Sequence, residues 1–139
     1  MALLGSLLLF FGITACKTKP YSTSELPTKR IIFGSGGGFT GAVTEYHLFE
    51  NGQLFEKQPM LSDTLRPLPN MERKVCRKAF KKMEKMDTSL LGANQPGNRY
   101  YFLEWNNGER AWRTVWGSSS YKVANEVKDL YQQLIPSKD

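Results

Sequence analysis

The sequence predicts an α+β domain: a two-layer sandwich in which an antiparallel sheet of four to five strands carries two helices on one face, in the order β-ββ-α-ββ-α. Three observations lead there. The pairs Asn51-Gly52 and Asn107-Gly108 each sit between runs of alternating apolar and polar residues, the strongest short-range signal for a β-hairpin. Each hairpin is followed by a stretch with apolar residues at helical spacing. The segments between them, 58–69 and 87–98, are rich in turn-forming residues. A sheet and helices in this succession bury their apolar faces against each other, and 139 residues suit one such domain.

The first element is not part of that domain. The apolar run of residues 1–15 ends in Ile13-Thr14-Ala15 before Cys16, a pattern that resembles the bacterial lipobox, in which the cysteine is acylated and becomes the mature N-terminus. Small residues fit the signal peptidase in an extended conformation, and only a thiol accepts the diacylglyceryl group. The acyl chains then hold the protein by burying methylenes, at about 0.8 kcal/mol per CH₂. No Lys or Arg precedes the apolar run, so the expectation includes either an atypical signal or a start codon placed too late. Residues 16–28, polar with two prolines, are expected to form a flexible tether, and residues 29–139 the domain. All charged residues follow Cys16, so the net charge of +6 belongs to the mature part. With Cys16 acylated, Cys76 is the only other cysteine. No intramolecular disulfide can form, and the exported domain rests on its hydrophobic core.

Lys29 to Phe33 reads as a strand. The first hairpin follows the glycines. A two-residue turn at Asn51-Gly52 would put Tyr46, Leu48 and Phe55 on one face, and Glu45, His47 and Glu56 on the other with Val43, Phe49 and Leu54. From Asn70, a plausible N-cap, to about Met86, a helix carries Met71, Val75, Cys76, Ala79, Phe80, Met83 and Met86 on one half. Its other half holds Arg73, Lys74, Arg77, Lys78, Lys81, Lys82 and Lys85. The second hairpin, with a two-residue turn at Asn107-Gly108, puts Tyr101, Leu103, Trp105, Trp112 and Trp116 on one face. Tyr100, Phe102, Glu104, Arg113 and Val115 take the other. From about Tyr121 to Ile135 a second helix shows a stripe of Val123, Val127, Leu130, Tyr131 and Leu134, and Pro136 ends it.

The glycine-rich segment Gly34, Ser35, Gly36, Gly37, Gly38, Phe39, Thr40, Gly41 raises a nucleotide question, because Gly36-x-Gly38-x-x-Gly41 matches a phosphate-binding fingerprint. The context speaks against it. A dinucleotide site needs the glycines to open a helix, and here they lead into a strand. A Walker loop needs Gly-Lys-Ser/Thr, which is absent. The strand–loop–strand context suits a kinase glycine loop, but the V-A-I-K lysine, the H-R-D loop and D-F-G are all missing. Two readings remain: a strand connection needing positive φ, a bulge or close chain approach, or a loop that docks a partner backbone or cups an anion with its N–H groups.

The stretches "FGSGGGFTGAVTEYHLFENGQLF", "PGNRYYFLEW" and "VWG" resemble a group of small uncharacterised lipoproteins of Bacteroidetes-type bacteria. The resemblance covers most of the mature domain. It implies an envelope lipoprotein and no catalytic activity. Lys17-Thr18-Lys19 lacks the acidic cluster that accompanies surface export in such lipoproteins, which tips the expected location toward the periplasmic side of the outer membrane.

Little in the sequence points to chemistry. His47 is the only histidine, expected to face Glu56 across the hairpin as a polar pair. Cys76 lies on the apolar helix face, where a free cysteine packs as a small hydrophobe. There is no HExxH, CxxC or EF-hand loop, and the scattered carboxylates select no acid–base pair. The chain therefore reads as a non-enzymatic, cofactor-free and metal-free module. It is lipid-anchored in the cell envelope and binds a protein partner in an envelope assembly. The export signal disfavours nucleic acid. The expected contact surfaces are the glycine segment, then the basic helix face, then the aromatic second hairpin. Two alternatives stay open: a proteinaceous inhibitor that inserts the glycine segment into a hydrolase cleft, and a binder of glycans or anionic lipid using the aromatic or basic surface.

Overall fold

The computed structural model describes residues 19–137. It is a mixed α+β fold in which seven strands form one sheet and two helices cover one of its faces. The strands are β1 (Arg30–Gly37), β2 (Val43–Leu48), β3 (Leu54–Gln58), β4 (Ser62–Leu68), β5 (Asn94–Gln95), β6 (Arg99–Asn106) and β7 (Ala111–Trp116). The helices are α1 (Arg73–Lys85), between β4 and β5, and α2 (Asn125–Leu134), after β7. The spatial order is β4-β3-β2-β1-β6-β7-β5. All pairings are antiparallel except β5 with β7, which is parallel.

The expected sheet of four to five antiparallel strands is thus too small by two or three. The first addition is β4, in a segment expected to be a connector. Its residues pair with β3 at the sheet edge, with a register irregularity between Glu56 and Gln58. It is largely exposed and carries Pro67, as an edge strand tolerates. The second is β5, two residues in the other connector, held where Val115 donates to Ala93 O and Ser118 to Gln95 O.

The second hairpin keeps its expected faces although its turn differs. Asn107 N donates to Arg110 O, so Gly108 and Glu109 are the central pair, and Gly108 takes φ +95. A positive φ at the first central position alone is the pattern of a type II′ turn. Pairing shifts by two residues, which preserves the faces. The first hairpin does not keep them. Phe49 N donates to Gln53 O and Gly52 N to Phe49 O, closing a three-residue loop with Gly52 at φ +90. The register is Leu48↔Leu54, His47↔Phe55 and Tyr46↔Glu56. This is one residue away from the expected pairing, so every β3 side chain changes face. Leu54 and Glu56 join Tyr46 and Leu48, and Phe55 joins His47.

The core lies between the sheet and the helices. Ile31, Phe33, Leu48, Leu54, Leu103, Trp105 and Trp116 of the sheet pack with Cys76, Ala79, Phe80 and Met83 of α1. Val127, Leu130, Tyr131 and Leu134 of α2 complete it, with Val123 just before that helix. Both helices start later than expected. The N-cap of α1 is Glu72, with no side-chain cap bond, and Asn70 lies outside the helix.

Topology gives the sheet two distinct ends. β1 runs from Arg30 up to the β1–β2 loop, and β2 runs back. The β2–β3 loop and the β6–β7 turn therefore lie at the Arg30 end, whereas the β1–β2 and β3–β4 loops lie at the other. Eight residues of β1 separate the ends by about 26 Å. Tyr21 packs at the Arg30 end: its N–H donates to Gln53 Oε1 at 2.6 Å, Gln53 Nε2 donates back to Tyr21 O at 3.2 Å, and its ring meets Phe49 edge-on. No helix among the described residues is long and apolar enough to cross a membrane.

Candidate functional site

The glycine segment divides in two. Gly34 to Gly37 belong to β1, the central strand, flanked by β2 and β6. On the sheet face away from the helices, Gly34 is paired with Phe102 and Gly36 with Tyr100. A Cβ at Gly34 would fall on the Thr44 carbonyl oxygen and lie 2.8 Å from the Phe102 ring; one at Gly36 would lie 2.6 Å from the Tyr100 ring. The missing side chains leave a trough along β1, and the β6 aromatics fold into it. Phe102 is fully buried there. Arg113 sits with its guanidinium carbon 4.1 Å from the ring centroid and reaches Glu104 Oε2 at 3.2 Å. Cation–π stacking and an ion pair thus close the aromatic from above.

The second part, Gly38 to Gly41, is a hairpin tip. Gly38 N donates to Asn98 O at 2.7 Å, and Gly41 N to Gly38 O at 3.2 Å. These N–H groups are spent on the fold, which weakens the anion-nest reading. Phe39 at the tip is fully exposed. At the same end of the sheet, the β3–β4 loop holds Met60 at 64% exposure and Leu61 at 81%. The two loops are about 10 Å apart by strand spacing. Large apolar side chains left in water at neighbouring loops mark a contact surface more often than a random surface does. Sequence reasoning missed Met60 and Leu61; the signal was two large apolar residues inside turn chemistry.

The basic face of α1 is as expected in composition. Arg73, Lys74, Arg77, Lys78, Lys81, Lys82 and Lys85 are all exposed. The last six have no ion pair among the described residues, whereas Lys29 bridges Glu50 and Glu84, Lys57 reaches Asp63, and Arg66 and Arg113 have carboxylate partners. The hydrogen bonds that the Lys29 ammonium donates to Glu50 and Glu84 hold its pKa above the ordinary value. A groove of about 670 Å³ between α1 and α2 joins Lys78, Lys81, Lys82 and Lys85 to Glu126 and Asp129.

The aromatic hairpin splits between core and surface. Trp105 and Trp116 are buried. Tyr101 remains 40% exposed, against Trp116 and Tyr131. These line a groove of about 480 Å³ with Tyr121 and Lys128. Burial pushes the Tyr131 hydroxyl up to about 12.

His47 and Glu56 do not meet, because the register places them on opposite faces. His47 is buried and bonds Glu45 through Nε2 at 2.7 Å, and its Nδ1 finds no partner among the described residues. That bond holds the Glu45 carboxyl below its ordinary value. Burial alone would raise Glu56, but the bonds from Arg66 and Gln58 outweigh it and leave Glu56 lowered. The Cys76 thiol donates to Phe49 O at 3.3 Å, and burial pushes it up, away from the thiolate that nucleophilic chemistry requires. No group of three or more His, Cys, Asp or Glu converges as a metal site among the described residues. Residues 1–15 and Cys16 lie outside the described residues.

No protein-family model matches this chain, and no curated protein matches it. The functional reading therefore stands on the residues and their geometry.

Proposed function

We propose that this chain is a lipid-anchored, non-enzymatic binding module of the bacterial cell envelope, held through Cys16 at the outer membrane and facing the periplasm. It docks a protein partner with the hairpin tips at the end of the sheet away from the tether. The observation that carries this reading is the exposure of Phe39, Met60 and Leu61 at one end, while Tyr21 ties the tether to the other. A lipid-held domain that presents apolar loops at the opposite end of the sheet, about 26 Å from the end that docks Tyr21, is suited to meet a neighbour rather than its own bilayer. The resemblance to Bacteroidetes-type lipoproteins supports the same location.

The test is affinity purification from native membranes after mild crosslinking. One envelope protein is expected to copurify stoichiometrically with the wild-type chain, and to be lost with Phe39→Ser plus Leu61→Ser. Recovery undiminished by these changes overturns the tip assignment. Loss of the partner with Cys16→Ala reports the anchor separately.

A second reading, glycan binding, is favoured by the groove beside Tyr101 and Tyr121. Polar Ser118, Asn125 and Gln132 surround it, as stacking with hydrogen bonding requires. Quenching of tryptophan fluorescence by envelope glycans, abolished in Tyr101→Ala, would favour it over the protein partner. The hydrolase-inhibitor alternative retains only residues 38–42 as an insertable loop.

A further inference from the structure

We propose that the basic face of α1 lies against the anionic phosphate headgroups of the membrane that holds the Cys16 lipid. The proposal rests on the lipid-anchor reading and adds the orientation of the domain.

Two observations carry it. The first is chain length. Tyr21 is fixed to the domain by its bonds to Gln53, and it lines one groove of about 360 Å³ with Arg73, Arg77 and Lys81 of α1. Only five residues lead from Cys16 to Tyr21, a reach of at most about 18 Å. An acylated Cys16 therefore holds the start of α1 near the bilayer surface, whatever course those residues take. Tyr21, inside the 16–28 segment expected as a flexible tether, is bonded to Gln53. The second observation is charge. Lys74, Arg77, Lys78, Lys81, Lys82 and Lys85 have no ion pair among the described residues and cluster on one helix, whereas the other cations without one, such as Arg99, Arg110 and Lys122, are spread over separate segments.

Acylation fixes the protein at the membrane and sets no orientation. Attraction between Lys or Arg and anionic headgroups acts over about a Debye length, ~8 Å at physiological salt. The short link lets α1 approach to within that range, and cations without an ion pair complement a phosphate surface. An acidic protein would satisfy the same charges, but nothing requires it to sit beside the lipid attachment.

The test uses the mature, lipidated protein purified from membranes and reconstituted into two kinds of vesicle: neutral phosphatidylcholine, and phosphatidylcholine rich in phosphatidylglycerol. Brief amine acetylation is read by mass spectrometry at Lys78, Lys81 and Lys82, with Lys57 and Lys122 as references. In anionic vesicles the α1 lysines are expected to react roughly fivefold more slowly relative to the references. That protection disappears in neutral vesicles and at 1 M salt. Lys78→Glu plus Lys82→Glu is expected to remove the protection of Lys81 without moving the melting temperature. Equal labelling in both vesicles overturns the proposal, as does equal protection in both, which indicates a copurified acidic protein. The same spectra show the N-terminal peptide. If Cys16 carries no acyl group, the anchor reading and this proposal fall together. An acylated peptide with uniform labelling removes only the orientation.

Discussion

Gly34 shows at a single atom why the glycine segment looks like a ligand loop and is mostly a strand. Its hydrogen faces the Thr44 carbonyl and the Phe102 ring, so a methyl there must displace backbone or a fully buried aromatic. Gly34→Ala is expected to cost about 1–3 kcal/mol by overpacking, read as a lower urea midpoint. Unchanged stability would contradict the trough. The sequence made the glycines visible but not their partners, because Tyr100 and Phe102 stand more than sixty residues away and only the β1–β6 pairing brings them together. Glu45 and Glu56 carry a pH prediction. Both carboxyls sit below their ordinary value of 4.5 in the native state. Their contribution to stability is fully present above that value and is lost as pH falls through the lowered native values. Melting temperature is therefore expected to fall below pH 4.5, and Glu56→Gln to make that acid limb shallower. An acid limb as steep in the variant as in the wild type would contradict the assignment.

Among the elements, those with a long apolar stripe were readable. The basic and apolar halves of α1 follow from spacing alone, and both hairpins announce themselves by Asn-Gly. Register was not readable. Leu54 and Phe55 are both apolar, so either can face the helices without breaking the pattern, and the place of Gly52 within its loop decides. In the second hairpin the shift is by two residues, and the tryptophan face survives it. β4 was missed because its exposed edge position demands no alternation and admits Pro67; β5 was missed because two residues hold no pattern. The start of α1 was misjudged because Asn70 has the right chemistry, but the helix begins after Glu72, whose side chain makes no cap bond. Glu72→Asp supplies a short acceptor and is expected to stabilise the protein by about 0.5–1 kcal/mol. A lowered melting temperature would show that Glu72 has another role.

For the whole molecule, the antiparallel connections decide the functional geometry. Successive hairpins send the loops of β1–β2 and β3–β4 to one end, and leave Tyr21, the β2–β3 loop and Lys29 at the other. The sequence held each of these parts but not their separation, which follows only from strand order. Of the surfaces expected from the residues, the glycine segment contracts to a tip around Phe39, and Met60 and Leu61 extend it. The central claim is that this tip is where a partner binds. The most direct measurement is site-specific photocrosslinking in intact cells, with a photoreactive phenylalanine analogue at Phe39 and, as control, at the exposed Glu109 of the opposite end. The account predicts one discrete adduct from position 39, with a single envelope protein, and none from position 109. No adduct at position 39, or the same adducts from both positions, would contradict it.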